Sequence, residues 1–179
     1  AVTLSHLGYI KRTPISEYQA QRRGGVGKKA MTTRDEDFVR DLFVASTHDQ
    51  LMIFTTQGKV FLLPVYQVPE GGRAARGRPI VNLVPMAKED RVAGVIPIRE
   101  FDERSVVIAT RGGQIKRTNL LRYKNIRAGG IIACGLKEGD AVLTVQLLED
   151  QEGSILMSTA DGKAIHFPAE QAREMGRSA

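Results

Sequence analysis

The chain has 179 residues, with 26 Lys and Arg against 20 Asp and Glu, a net charge of +6 and a pI near 9.7. That length allows one domain with a real core, or a row of small repeats sharing one, and the moderate positive excess suits a polyanionic partner. The single cysteine, Cys134, excludes a disulfide framework and fits a reducing compartment, while no apolar run approaches the roughly 18 residues of a membrane helix and no signal peptide is recognised.

In chain order, four segments share one pattern, in which an apolar run, a small polar turn with glycine and a second run follow one another. They fall near residues 2–13, 51–63, 106–118 and 155–167. Each carries β-formers on both sides of a short turn whose glycine supplies positive φ, the signature of a β-hairpin. The turn glycines Gly8, Gly58, Gly113 and Gly162 are separated by 50, 55 and 49 residues. That period fits propeller-like blades better than a helical solenoid. The opening residues read as a strand already in progress, so the chain is expected to be a piece of something longer.

Downstream of each turn glycine comes a tyrosine (Tyr18, Tyr66, Tyr123) and then a Gly/Arg loop. The loops are Arg22–Gly27, Gly71–Arg78 and Arg127–Gly130. Further strand candidates are Leu42–Ala45, Ile80–Val84, Val92–Ile96, Ile131–Cys134 and Ala141–Val145. Thr33–Phe38 is a possible one-turn helix start, and Lys88–Arg91 and Lys137–Asp140 read as solvated turns. Each repeat is therefore expected to supply about four short strands, with little helix. The fold class is all-β.

Gln21-Arg22-Arg23-Gly24-Gly25-Val26-Gly27-Lys28-Lys29 is the densest cationic stretch, with four cations, three glycines and no acid. Such a loop is costly to bury, and forked guanidiniums beside bare amides suit phosphate oxygens. A plain solvated loop has the same composition. Charge is segregated along the chain: residues 1–34 carry +6 and residues 111–137 carry seven cations and no acid, whereas residues 35–65 and 138–179 are net acidic. If equivalent positions of the repeats share a rim, these cations join into a track for a bent polyanion.

Gln21–Gly27 resembles the seven-residue gyrase A box, Q-R-R-G-G-K-G, at six positions, with Val26 where lysine is usual. Ser16–Tyr18 and Arg76–Leu83 are similar to flanking parts of the same domain. The whole chain resembles the first half or so of the C-terminal DNA-wrapping domain of bacterial DNA gyrase A. The related topoisomerase IV protein typically has a degraded or missing box. The resemblance implies a β-pinwheel of six four-stranded blades, of which 1–179 would hold about three and a half. It also implies sequence-nonspecific binding and bending of double-stranded DNA, in support of ATP-driven negative supercoiling by the holoenzyme. The implied partners are DNA, the remainder of gyrase A and gyrase B, in the bacterial cytoplasm and nucleoid, with no membrane. ATP and Mg belong to the holoenzyme, and no cofactor is expected in this chain.

The expected DNA contacts are Gln21, Arg22, Arg23, Lys28 and Lys29, with Gly24, Gly25 and Gly27 allowing close approach. Lys11, Arg12, Arg73, Arg76, Arg78, Lys116, Arg117, Arg122, Lys124 and Arg127 would extend the track. Catalytic chemistry is not expected. A P-loop reading of Gly27-Lys28 fails, because Arg22 stands where its first glycine belongs and Lys29 replaces Ser or Thr. Arg122-Tyr123 matches the arginine–tyrosine pair of type II topoisomerases, but Tyr123 shares the repeated tyrosine position and reads as a packing residue. His6, His48 and His166 lack metal-ligand spacing. The alternative function is a protein-interaction propeller scaffolding acidic partners or sister subunits, which would show an exposed apolar patch and no DNA binding, or the topoisomerase IV counterpart domain.

Overall fold

The computed structural model describes residues 1–18, 37–148, 154–158, 164–168 and 176. Among them are thirteen strands: β1 (Val2–Ser5), β2 (Tyr9–Arg12), β3 (Val39–Phe43), β4 (Gln50–Thr55), β5 (Lys59–Pro64), β6 (Arg78–Pro79), β7 (Val92–Ile98), β8 (Ser105–Thr110), β9 (Ile115–Asn119), β10 (Ile131–Ile132), β11 (Val142–Leu148), β12 (Ser154–Ser158) and β13 (Ala164–Pro168). The described helical structure is limited to single 3-10 turns at Ile15–Glu17, Val65–Gln67, Ile80–Asn82 and Leu120–Tyr123. The expected Thr33–Phe38 helix start falls mostly outside the described residues.

All four expected hairpins form, as β1–β2, β4–β5, β8–β9 and β12–β13. The first three close in the same way. The turn-glycine amides of Gly8, Gly58 and Gly113 donate to the carbonyls of Ser5, Thr55 and Thr110, each at 3.1 Å. The side-chain oxygens of these three residues then accept from the amides of Tyr9, Lys59 and Gln114. All three glycines have φ between +84° and +91°, which favours a residue without a Cβ.

A second device ties each turn to the next segment. Asp37 Oδ1 accepts the Leu7 amide at 2.9 Å, Asp90 Oδ1 the Gln57 amide at 3.1 Å, and Asp140 Oδ1 the Gly112 amide at 2.8 Å. Each donor is the residue just before a turn glycine. The turns at Lys88–Arg91 and Lys137–Asp140 are therefore clips, and Asp90 is almost wholly buried.

The chain divides into two compact units, residues 1–49 with 64–83, and residues 50–63 with 84–179. In the first, the sheet order is β3-β1-β2-β6, with Val2, Leu4 and Ile10 buried. In the second, one sheet runs β10-β5-β4-β7, another β11-β8-β9, and β12–β13 stands as a pair. There β7 packs on β11, with Val145 against Gly94. The core of this unit includes Met52, Phe54, Val60, Ile96, Val106, Ile108 and Tyr123, and the Phe54 and Tyr123 rings meet edge to face at 5.9 Å.

The expectation that each repeat supplies four strands of its own is corrected in one respect. The short strand after each of the two described Gly/Arg loops joins the hairpin of the preceding repeat. β6 pairs with β2 (Tyr9↔Pro79, Ile10↔Arg78), and β10 pairs with β5 (Ile131↔Val60, Ile132↔Lys59). Both end by bonding a turn-glycine carbonyl, Ile80 N to Gly8 O at 2.8 Å and Ala133 N to Gly58 O at 2.7 Å. The expected strand Ile80–Val84 is replaced by this two-residue strand and a 3-10 turn. Pro79 has no N–H to extend the ladder, and its φ of −60° starts the turn.

Candidate nucleic-acid interface

In the first unit, the segment from Val68 to Arg73 is laid along β2 by a run of bonds. Arg12 N donates to Pro69 O and Gly71 N to Arg12 O, both at 3.0 Å. Side chains add to this: Arg12 Nε to Val68 O at 2.7 Å, Thr13 Oγ1 to Gly71 O at 2.8 Å, and Lys11 Nζ to Gly72 O at 2.8 Å and Arg73 O at 2.5 Å. Gly77, at φ +89°, packs so closely that an added Cβ would lie 2.5 Å from Ile10 O. Close approach here requires glycine.

This anchoring sorts the expected contacts. Arg76 and Arg78 are exposed, and the Arg76 guanidinium lies 5.8 Å from the centre of the Tyr9 ring. Arg73 is half-buried, stacked 4.6 Å over Tyr18, with its Nη1 donating to Glu17 O and its amide to Glu17 Oε2. Arg12 is half-buried and faces Glu70 at 3.8 Å. Lys11 is the correction in this unit: it is fully buried, and its ammonium is spent on loop carbonyls. Burial pulls it below the ordinary lysine range, a pull that Glu17 opposes and Arg73 reinforces. A side chain so enclosed is not a phosphate contact.

In the second unit, Arg122, Lys124 and Arg127 are exposed within six residues. The 3-10 turn that carries Arg122 is capped by Asn119, whose side chain accepts the Leu121 amide at 3.0 Å. Arg117 is half-buried on β9. Lys116 repeats the fate of Lys11, buried with Nζ on Gly135 O at 2.6 Å. Tyr123 is buried as a packing residue should be, and its hydroxyl donates to Ala133 O at 3.1 Å. Tyr66 is exposed, because the residue at the equivalent offset from the turn glycine is Val68, which is buried.

The expected contacts Gln21, Arg22, Arg23, Gly24, Gly25, Gly27, Lys28 and Lys29 lie outside the described residues. Sequence reasoning passed over Lys59, exposed beside the turn glycine Gly58, and Arg111, exposed two residues before Gly113. It also passed over Glu17, whose signal was its place beside the repeated tyrosine. Among the described residues no group of three or more His, Cys, Asp or Glu could hold a metal ion. Burial raises the Cys134 thiol, an effect Lys116 opposes and Asp140 adds to. No described helix is long and apolar enough to cross a membrane.

Repeated hairpins, the first two of which receive a short strand from the next repeat, make this an all-β protein of the propeller class, related to the β-pinwheel. The chain belongs to the family described as DNA gyrase C-terminal domain, beta-propeller, whose model matches residues 1–46, 49–99, 104–149 and 153–179. It is 44% identical over 179 residues to the DNA gyrase A protein of Salmonella typhimurium and 43% over 176 residues to that of Escherichia coli. These matches cover 99% and 98% of this chain but 20% of each relative, so the chain spans about a fifth of their length. Among solved structures, the C-terminal domain of DNA topoisomerase IV superposes with a TM-score of 0.78 at 28% identity, covering 99% of this chain and 54% of that one. A DNA gyrase A C-terminal domain gives 0.72 at 23% identity, covering 99% and 57%. The fold is thus common to both enzymes, and the gyrase assignment comes from the sequence relatives.

Proposed function

We propose that this chain is a DNA-binding and DNA-bending module of gyrase A, without catalytic chemistry of its own. The observation that carries the reading is the loop anchored on β2, which holds Arg76 and Arg78 outward on a backbone fixed at Lys11, Arg12 and Thr13. Arg122, Lys124 and Arg127 add an exposed cationic cluster in the second unit, and Gln21–Lys29 supply the family's box motif. Phosphate contacts of this kind position a duplex without reading bases. Distributed over a bend, they offset an elastic cost on the order of 1–6 kcal/mol.

In this reading the module works on double-stranded DNA beside the rest of gyrase A and gyrase B in the bacterial cytoplasm. It presents a bent segment to the enzyme's core, while ATP and Mg act elsewhere in the holoenzyme. A second reading, an interaction surface for protein, is favoured by the exposed Phe38, Val39, Leu42 and Val44 on and beside β3. Fluorescence transfer between the ends of a short duplex decides between them. Bending with affinity that falls by roughly 10³–10⁵ between 50 and 200 mM salt supports DNA wrapping by six to ten phosphate contacts. Absence of any DNA mobility shift refutes it in favour of protein binding.

A further inference from the structure

We infer that Lys11, seconded by the Thr13 hydroxyl, is a positioning residue that sets the conformation of the Arg73–Arg78 loop. The inference rests on the DNA-binding reading above. Lys11 stands third after its turn glycine, and so do Phe61 and Lys116 in the next two hairpins. At Phe61 the incoming loop is met by packing, since a Cβ on Gly130 would fall 2.6 Å from the ring. At Lys116 the ammonium takes the Gly135 carbonyl. In the first two hairpins this strand position therefore receives the Gly/Arg loop of the next repeat, and in the third it holds a later segment of its own repeat.

At Lys11 the reception is polar. Its ammonium gathers the carbonyls of two consecutive loop residues, Gly72 and Arg73, from 61 and 62 positions away in sequence. Both bonds are charge-assisted, the stronger kind. Drawing those carbonyls inward fixes the backbone that carries Arg73 and leads into Arg76 and Arg78. The Gly71 carbonyl, just before them, is held by Thr13. Lys11 thus shapes the cationic surface from beneath without belonging to it, and its charge is not available to an external phosphate.

The test is Lys11→Met in the full chain, which keeps an unbranched buried side chain and removes the ammonium. Three readouts are taken: amide hydrogen exchange of residues 71–77, the salt slope of DNA affinity, and the bend angle at saturating protein. Expected are exchange in that loop faster by at least about tenfold, a reduced bend angle with every duplex bound, and a clear loss of affinity. A purely global loss of stability does not change the angle of a saturated complex. A variant with wild-type exchange and bend angle overturns the inference. So does one whose only change is a salt slope lower by about 0.9, the mark of one lost phosphate contact. If Lys11→Met does not fold, Thr13→Val, which deletes only the Gly71 bond, must give the same signature at smaller size; wild-type behaviour there overturns it equally. Should the unaltered chain fail to bend DNA, the functional reading falls, while the exchange data still decide whether Lys11 holds the loop.

Discussion

Asp140 accepts the backbone amide of Gly112 at 2.8 Å and that of its neighbour Ala141 at the same distance, so one carboxylate oxygen joins a hairpin turn to the strand 28 residues later. Asp90 does the same for Gln57 and Arg91 and adds the Thr56 hydroxyl at 2.9 Å. Because Asp90 is almost wholly buried, removing its carboxylate leaves three partly buried donors without their acceptor. Asp90→Ala is expected to cost about 1–3 kcal/mol or more in urea-unfolding free energy. A change within about 0.5 kcal/mol, the usual range for an unengaged surface site, shows that the clip carries no stability.

The Asp37 and Asp140 clips are expected to weigh on stability in acid. At Asp37, burial works to raise the carboxyl, but bonds from Ser5, Leu7 and Phe38 outweigh it and leave the group below its ordinary 3.8. At Asp140, bonds from Thr110 and Gly112 lower it likewise. A depressed carboxyl contributes stability that is complete above 3.8 and is lost as pH falls through the folded-state value. Asp41 has the opposite sign: burial raises it, against the pull of Arg40, so its contribution is lost as pH climbs from 3.8 through the raised value. Thermal melts from pH 2 to 7 are expected to show a steep loss below pH 4 that flattens in an Asp37→Asn, Asp140→Asn double variant. Asp41→Asn is expected to raise the melting temperature at neutral pH.

Gly77 and Gly113 both have left-handed backbones, at φ +89° and +85°, but they differ in surroundings. A Cβ at Gly113 meets nothing within 4 Å, so Gly113→Ala bears only the conformational cost of roughly 1–2 kcal/mol. A Cβ at Gly77 collides with the Ile10 carbonyl, a backbone group of β2 that cannot swing aside. Gly77→Ala is therefore expected to destabilise more than Gly113→Ala and to loosen the β6 pairing, read by amide exchange at Ile80. Equal costs at the two sites argue against close packing at Gly77.

What was legible in the sequence was local. The hairpins follow from a glycine at positive φ between β-forming runs, and Ser5, Thr55 and Thr110 close the turns within four residues. The donation of β6 and β10 to the preceding repeat depends on pairing over more than 60 residues, which no local pattern encodes. The same distance hid the burial of Lys11, since a lysine beside Arg12 reads as surface until the carbonyls of Gly72 and Arg73 arrive. Asp90 and Asp140 looked like solvated turn residues for the same reason. Tyr66 was misaligned by two positions, and its offset of 8 rather than 10 from the turn glycine was the available sign.

That misalignment has a measurable counterpart. Tyr123 is buried and its hydroxyl donates to Ala133 O, whereas Tyr66 is exposed. Tyr123→Phe is expected to cost about 1 kcal/mol through the lost hydrogen bond, with its ring packing on Phe54 retained. Tyr66→Phe is expected to change stability by less than about 0.5 kcal/mol. Equal effects in denaturant unfolding undo the reassignment of the repeat position to Val68.

The cations themselves separate by how much of their charge faces outward. Arg76 and Arg78 are exposed, and on the proposed reading each would be a full counterion-releasing contact. Arg76→Ala with Arg78→Ala is therefore expected to reduce the salt slope of DNA binding by about 1.8, at about 0.9 per phosphate, with the thermal midpoint nearly unchanged. Arg12 differs, because its Nε is committed to the Val68 carbonyl and Glu70 lies 3.8 Å from its Nη1. Arg12→Ala is expected to lower stability measurably and to change the slope by less than either exposed arginine. Anisotropy titrations between 50 and 200 mM salt, paired with melts, make the comparison. If Arg12→Ala takes the larger share of the slope and the exposed pair takes none, the outward face of the loop is not where the duplex lies.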